Sequence, residues 1–425
     1  MVKQDLLQKD TGTVCWPDLR ADSYACADLP ALIEQARRIV HLAGESCDDN
    51  SAMALIEQTV LEDPACAALD PETLSRLTDR IFLALRRDLY ILDPLMELEG
   101  ITEIMVNGTG HVYVEQDGRI IPVPVTFESE QALLGVIRRV ASFVDREINE
   151  LHPIVDARTK DGARVNAVYS NITLNGPVLT IRRFPASGYT MQDLIAFGTL
   201  TDECAAFLKE LVRTGYNLFI SGGTSSGKTT FLNVLSDAIG PEERVVVIED
   251  SAELALSSVD NLVRMECRRM NTGGAGAVDM SQLIRTSLRM RPDRIIVGEV
   301  RGAEVVDMIN AMNTGHDGSL STGHGNSVRG MLRRLESMYL QETNFPMEAI
   351  RSQIAEGIDV IVHLARLRDR RRVVLEVTEL LPGENGRIDL NPLFVFDRQA
   401  GLIRTDNPLA DRTKWDLNGG KEALL

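Results

Sequence analysis

The chain has 425 residues, with 45 Lys and Arg against 62 Asp and Glu, a formal net charge of −17 and a pI near 4.9. At roughly 100–200 residues per domain this is two to four domains, and hydrophobic and charged contents of 44% and 25% exclude a collagen, a disulfide scaffold and a wholly disordered chain. The acidic balance argues against a protein whose main task is to coat nucleic acid, because phosphate binding needs a net basic face.

In chain order, residues 1–75 read as a helical lead-in, with helical apolar spacing in 31–44 and 51–63 and punctuation at Pro64 and Pro71. A further helix is expected over 72–92, with Leu74, Leu77, Ile81, Leu85 and Leu89 on one face. Residues 76–185 then read as an α+β domain. TEIMVNG, HVYVEQDGRIIPVPV, ARVNAVYS and VLTIRRF are β-branched strands, Asp117-Gly118 and Asp161-Gly162 are turns, and 129–144 is a helix. Residues 186–200, next to Pro185 and containing Gly188 and Gly198, are the expected linker. From 201 to 385 buried strands alternate with helices, the pattern of an α/β fold with a parallel sheet covered on both faces. A C-terminal hairpin and a polar tail are expected over 386–425.

Cys15, Cys26, Cys47, Cys66, Cys204 and Cys267 form no CxxC pair and no cluster with zinc spacing, so they read as reduced thiols and no zinc is expected. MVKQDLLQKD has no apolar signal region, and no apolar run approaches the ~20 residues of a membrane span. A cytoplasmic chain is the expectation, touching a membrane through a partner or a surface patch.

The strongest chemical signal is Gly222-Gly223-Thr224-Ser225-Ser226-Gly227-Lys228-Thr229, a G-x-x-x-x-G-K-[ST] loop between an apolar strand and a helix that continues with Thr230. Glycines let backbone N–H groups converge on one point, the helix N-terminus adds partial positive charge, Lys228 brings a full charge to the β- and γ-phosphates, and the Thr229 hydroxyl suits Mg²⁺. A second signal is the strand RIIVGE, which carries Glu299 to a sheet edge, with Gly298 where an Asp is usual. A water-mediated metal contact suits that Glu better than direct ligation. A third is RVVVIED-Ser251-Ala252-Glu253, which delivers Glu249, Asp250 and Glu253 towards the same edge, although such acids also read as helix-cap residues. A fourth is the glycine-rich stretch from Thr314 to Ser327 with His316 and His324, either of which could meet a γ-phosphate or be structural. Arg158, Arg164, Arg182 and Arg183 precede the linker and suit either fingers that complete a site or salt bridges on a strand face. RLRDRRR, 366–372, reads as a solvated turn, with a membrane-surface or partner patch as the lesser reading.

Phosphate loop, IED-x-x-E box, VGE strand and TGHDGSLST-x-H box, in that order and with ITEIMVNG, GARVNAV and NGPVLTIRRF upstream, resemble the type II/IV secretion ATPases. The upstream blocks are most similar to the CpaF/TadA-type branch, the motor of tight-adherence (Flp) pilus assembly, related to the VirB and GspE secretion ATPases. The tetra-cysteine zinc motif of the type II branch is absent, HGNS stands for the usual HANS, and Ser170-Asn171-Ile172-Thr173 replaces a double-proline stretch. The resemblance implies a RecA-like P-loop NTPase domain after a smaller α+β, PAS-like domain. It implies a homohexamer that hydrolyses ATP with Mg²⁺, docked on an inner-membrane platform protein and driven by domain rocking. It also implies that Gly222 to Thr230 bind nucleotide, that Glu253 is the general base, and that Glu299, with Thr229 and Glu249, faces the metal. His324 would contact the γ-phosphate, and Arg164 and Arg182 would reach the nucleotide. A nucleic-acid-stimulated translocase and a non-hydrolysing nucleotide-gated scaffold are the alternatives. An aromatic content of 5% leaves little for base stacking in the first.

Overall fold

The computed structural model describes residues 16, 19–20, 28–44, 47–116, 118–183, 188–268, 270 and 276–425. Cys15, Cys26, Asp117, Pro185 and most of the lead-in before residue 28 lie outside the described residues. The chain separates into two compact units, Met1–Pro185 and Ala186–Leu425.

The first unit opens with helices Leu29–Leu42, Asp49–Glu62 and Pro71–Arg86, whose N-termini are capped by the side chains of Asp28, Asp48 and Asp70. Their apolar faces meet in a small core around Leu32, Ala36, Ile56, Leu77 and Ile81. The third helix stops earlier than its periodicity predicts. Arg87 is extended (φ −120°, ψ 139°), and the chain turns through Tyr90–Leu92 into a short helix, Asp93–Glu97. The two arginines at the stop share one partner, Asp49, at 3.0 Å each, and Asp93 accepts from the Leu89 amide at 2.7 Å.

Six antiparallel strands follow: β1 (Ile101–Asn107), β2 (Val112–Gln116), β3 (Arg119–Val123), β4 (Ile154–Arg158), β5 (Arg164–Val168) and β6 (Val178–Arg182), in spatial order β3-β2-β1-β6-β5-β4. Helix Glu130–Ser142 buries Leu133, Ile137 and Val140 in the same core as Ile104, Val114, Val165 and Ile181. The helical lead-in is fastened to this layer, since helix Pro71–Arg86 crosses the expected boundary at residue 75 and its Arg80 is wholly buried. Arg80 donates to the Tyr90 hydroxyl (3.0 Å), the Leu19 and Thr126 carbonyls (2.8 and 2.9 Å) and the Glu128 carboxylate (2.7 Å).

The second unit begins with helix Met191–Ala196, inside the expected linker and closed by a capping box between Thr190 and Asp193. Helix Asp202–Arg213 leads to a nine-stranded sheet: β7 (Leu218–Gly222), β8 (Arg244–Glu249), β9 (Asn261–Glu266), β10 (Arg294–Val300), β11 (Leu320–His324), β12 (Val360–Arg366), β13 (Arg372–Pro382), β14 (Ile388–Asp397) and β15 (Gly401–Arg404). Their spatial order is β15-β14-β13-β12-β7-β11-β10-β8-β9. The six strands from β12 to β9 are parallel, and β13 to β15 add antiparallel at one end. The fold is α/β, a RecA-like P-loop unit with a mainly parallel sheet, preceded by a smaller α+β layer and a helical N-terminal segment. The expected polar tail is packed instead. Trp415 is fully buried and stacks on Phe207 at 5.9 Å, Tyr216 donates to the Asp411 carbonyl (2.7 Å), and Arg213 donates to the Gly419 carbonyl (2.6 Å).

Removing one partner of a buried charge pair leaves the other uncompensated. Arg80→Met is expected to destabilise the first unit by about 3 kcal/mol, read as an earlier first transition in urea monitored by a probe in each unit. The transition of the second unit is expected to keep its midpoint.

Candidate nucleotide site

Strand β7 is buried along its whole length between β11 and β12 and ends at Gly222. Any side chain here would collide: a Cβ on Gly222 would lie 2.5 Å from Ser226 Oγ and 2.6 Å from the Leu364 carbonyl oxygen. The loop therefore folds tightly over the strand end and feeds helix Lys228–Ser236 through Gly227. Within it, Ser226 Oγ donates to the Gly223 carbonyl at 2.9 Å. Ser225 takes a left-handed backbone (φ 57°), a conformation that costs a non-glycine residue energy, and its carbonyl accepts from Arg372 Nε at 3.1 Å. Arg372 belongs to the expected solvated turn. Leu367 to Arg371 do close that turn and Arg371 pairs with Asp369, but Arg372 opens β13 and reaches back to the loop.

The parallel register sets His324 of β11 opposite Gly222 of β7. Lys228 Nζ, at the loop's far end, donates to the Gly223 carbonyl (3.1 Å) and lies 3.3 Å from His324 Nδ1. An ammonium only donates, so Nδ1 accepts and the ring proton sits on Nε2. Burial pulls the pKa of both groups down; the carboxylate of Glu299 opposes this for each, and the Lys228 charge adds to it for His324. His324 is then a neutral imidazole.

Glu299 sits where the β10–β11 register shifts between Val297 and Val300. Thr322 Oγ1 holds the irregularity by donating to the Gly298 carbonyl at 2.7 Å. Oε2 of Glu299 accepts from Arg301 Nε (2.9 Å) and Nη2 (2.7 Å), and Arg301 also stands 3.8 Å from Asp250. His324 Nε2 comes within 2.8 Å of Oε1 but outside hydrogen-bond geometry, which leaves that buried oxygen with no donor among the described residues.

Gly298 stands in place of an Asp because Glu249, on the neighbouring β8, occupies the space. A Cβ there would meet Glu249 Cγ at 2.9 Å. Glu249 is 3% exposed, and burial raises its pKa. Its Oε1 accepts from the Glu253 and Leu254 amides at 2.8 and 3.0 Å. The expected metal-facing acid thus has one oxygen committed to shaping the turn that carries Glu253. Glu253 itself lies close enough to Lys228 and Arg301 to act on their charges. The two histidines part company: His316 is bound to the Ala311 carbonyl at the end of helix Glu304–Asn313 (3.1 Å), and only His324 reaches the loop.

These residues fit a triphosphate with Mg²⁺. The face of Gly223 is open, Thr229 stands in the first turn of the helix, and the orphaned Glu299 oxygen suits a metal ion or its water. Beside them opens a cleft of about 670 Å³ lined by Gly223, Thr224, His324, Asn326, Arg333 and Arg334. In the other unit, Arg158, Arg164 and Arg182 lie directly opposite one another on β4, β5 and β6. Arg183 is spent on the carbonyls of Leu98 (2.7 Å) and Ile101 (3.2 Å).

Sequence reasoning missed Arg301, Thr322 and Arg372. The VGE-V-R spacing could have suggested Arg301; the other two act through strands remote in the chain.

Comparison with known proteins places the chain in a family. The family model described as type II/IV secretion system protein matches residues 86–388. A Mycobacterium tuberculosis protein named for conjugal transfer is 34% identical over 314 residues, 72% of this chain and 88% of the relative. The type IV secretion system protein PtlH of Bordetella pertussis is 32% identical over 316 residues, 67% of this chain and 92% of the relative. In fold, the chain is similar to the ATPase DotB of Legionella pneumophila, with a TM-score of 0.51 at 21% identity, covering 70% of this chain and 81% of that one. Among the described residues, no helix is long and apolar enough to cross a membrane. With its family model spanning well over half of its length, the chain belongs to the type II/IV secretion ATPase superfamily.

Proposed function

We propose that this chain is an ATP-hydrolysing motor of a secretion or pilus-assembly machine, most similar in its upstream blocks to the Flp/Tad pilus branch. It works as a homohexamer on an inner-membrane platform protein, at the inner face of the cytoplasmic membrane. The observation that carries this is the meeting of Lys228, His324 and the orphaned Glu299 oxygen at the mouth of one phosphate loop. Phosphoryl transfer asks a protein mainly for positioning and charge neutralisation, and these residues supply both.

Loop amides from Gly223 to Thr229 and the Lys228 ammonium hold the β- and γ-phosphates. Thr229 and Glu299 would hold Mg²⁺ or its waters, and the ion would supply charge neutralisation at the β- and γ-phosphates. Glu253 takes a proton from water as the water oxygen bonds to the γ-phosphorus and the bond to the bridging oxygen breaks, giving ADP and phosphate. His324, neutral, donates from Nε2 to a γ-phosphate oxygen once the nucleotide draws it from Glu299. Glu249 positions Glu253 through the turn amides.

The row Arg158–Arg164–Arg182 supports a finger role in the ring. Glu103 of β1 stands opposite Arg182 at one end of the row, and a planar guanidinium fork suits two phosphate oxygens at once. We assign Arg164 and Arg182 to the transition-state charge, with rocking of the two units as the force-producing step.

Lys228→Ala is expected to abolish nucleotide binding and turnover. Glu253→Gln is expected to keep ATP binding and lose turnover by about 10²–10⁴-fold; retained turnover in the purified variant would remove Glu253 from the base role. Replacing Arg164 and Arg182 with Gln is expected to lower kcat by about 10³-fold in the assembled ring without lowering stability in urea. ATPase rates measured across protein concentration with particle sizing test ring formation together with the chemistry. The relatives named for conjugal transfer make added single-stranded DNA a worthwhile arm of the same assay, and strong stimulation would favour a translocase.

A further inference from the structure

Helix Val328–Glu342 leaves the phosphate site directly after His324-Gly325-Asn326, capped by Ser327 Oγ. It buries Val328, Met331, Leu332, Leu335, Met338 and Tyr339. Its opposite side presents Arg333 and Arg334, both exposed, to the cleft that Gly223, Thr224 and His324 line from the other wall. Gly330, one turn before Arg334, keeps the entrance clear of a side chain.

Neither arginine forms an ion pair among the described residues. The nearest acid in sequence, Glu336, is engaged by Arg351 at 2.7 Å. In a chain with 62 acidic and 45 basic residues, two adjacent unpaired guanidiniums beside a phosphate loop are conspicuous. Arg334 and His324 line the same cleft.

The cleft also has a direction. A phosphate-loop lysine reaches the β- and γ-phosphates, and Lys228 Nζ lies on the Gly223 carbonyl. The Gly223 edge is therefore the γ end of the loop, and the arginines wait beyond it. We propose that Arg334, assisted by Arg333, is a second cation for the terminal phosphate, supplied from the same unit as the loop, and that this pair makes the site prefer a triphosphate to a diphosphate. The proposal rests on the nucleotide reading above. Its geometry suits Arg rather than Lys, since a planar fork can take two phosphate oxygens at once.

The test is direct binding of ADP and of a non-hydrolysable ATP analogue with Mg²⁺ to the full chain, measured by calorimetry. Arg334→Gln is expected to weaken the triphosphate about ten- to hundredfold and to leave ADP within about twofold. Arg334→Lys is expected to recover part of the loss, and Arg333→Gln to show a smaller one. Both side chains are exposed, so unchanged thermal unfolding is expected in all three. Equal loss for both nucleotides, or no loss for either, would overturn the proposal. So would a defect confined to ring assembly, which would assign the arginines to a neighbouring copy. Wild-type protein that binds neither nucleotide would instead overturn the underlying nucleotide reading.

Discussion

The parallel register of β7 against β11 sets His324 beside Gly222, and most of the site follows from that alignment. The loop after Gly222 folds back over its own strand because no side chain is present to stop it, and Lys228 returns to the Gly223 carbonyl. His324 is thereby brought into contact with Lys228 on one side and Glu299 on the other. A shift of one residue would send the imidazole to the opposite face of the sheet. Register in the interior of a parallel sheet is held by burial on both faces, and every residue of β7 is buried. The hydrophobic effect thus fixes an electrostatic geometry.

The site is a chain of charges and dipoles, running Lys228–His324–Glu299–Arg301–Asp250. Its members satisfy one another incompletely. The ammonium leans on a carbonyl and an imidazole, and one Glu299 oxygen has no donor among the described residues. A triphosphate with its metal offers Lys228 a stronger partner and Glu299 the cation it lacks. Such replacement costs little reorganisation, because the groups already stand where the charge will arrive. The second unit also carries support from behind: Glu249 shapes the Glu253 turn by accepting two backbone amides, and Arg372 steadies the strained Ser225 peptide.

The phosphate loop was legible in the sequence because its chemistry is local: eight consecutive residues with a strand before and a helix after define it. The α/β class and the acidic strand ends were legible for the same reason, through period and punctuation. What escaped depends on contacts across strands. Nothing near Gly298 says that Glu249 fills the space where an Asp is usual, and nothing in RLRDRRR says that only its last arginine touches the loop. Strand β9 was missed because it is an edge strand with a half-exposed, mixed polar pattern. Helix Pro71–Arg86 was read too long because leucine spacing continues past the point where two arginines converge on Asp49. The tail looked polar because Trp415 is a single residue, yet its indole is buried against Phe207.

The most direct measurement of the central claim is an experimental structure of the chain with Mg²⁺ and a non-hydrolysable ATP analogue. The account predicts β- and γ-phosphates on the amides of Gly223 to Thr229, Lys228 moved from His324 onto a phosphate oxygen, and the free Glu299 oxygen on the metal or its water. A triphosphate bound elsewhere, or Lys228 still resting on His324 with the loop occupied, would contradict it.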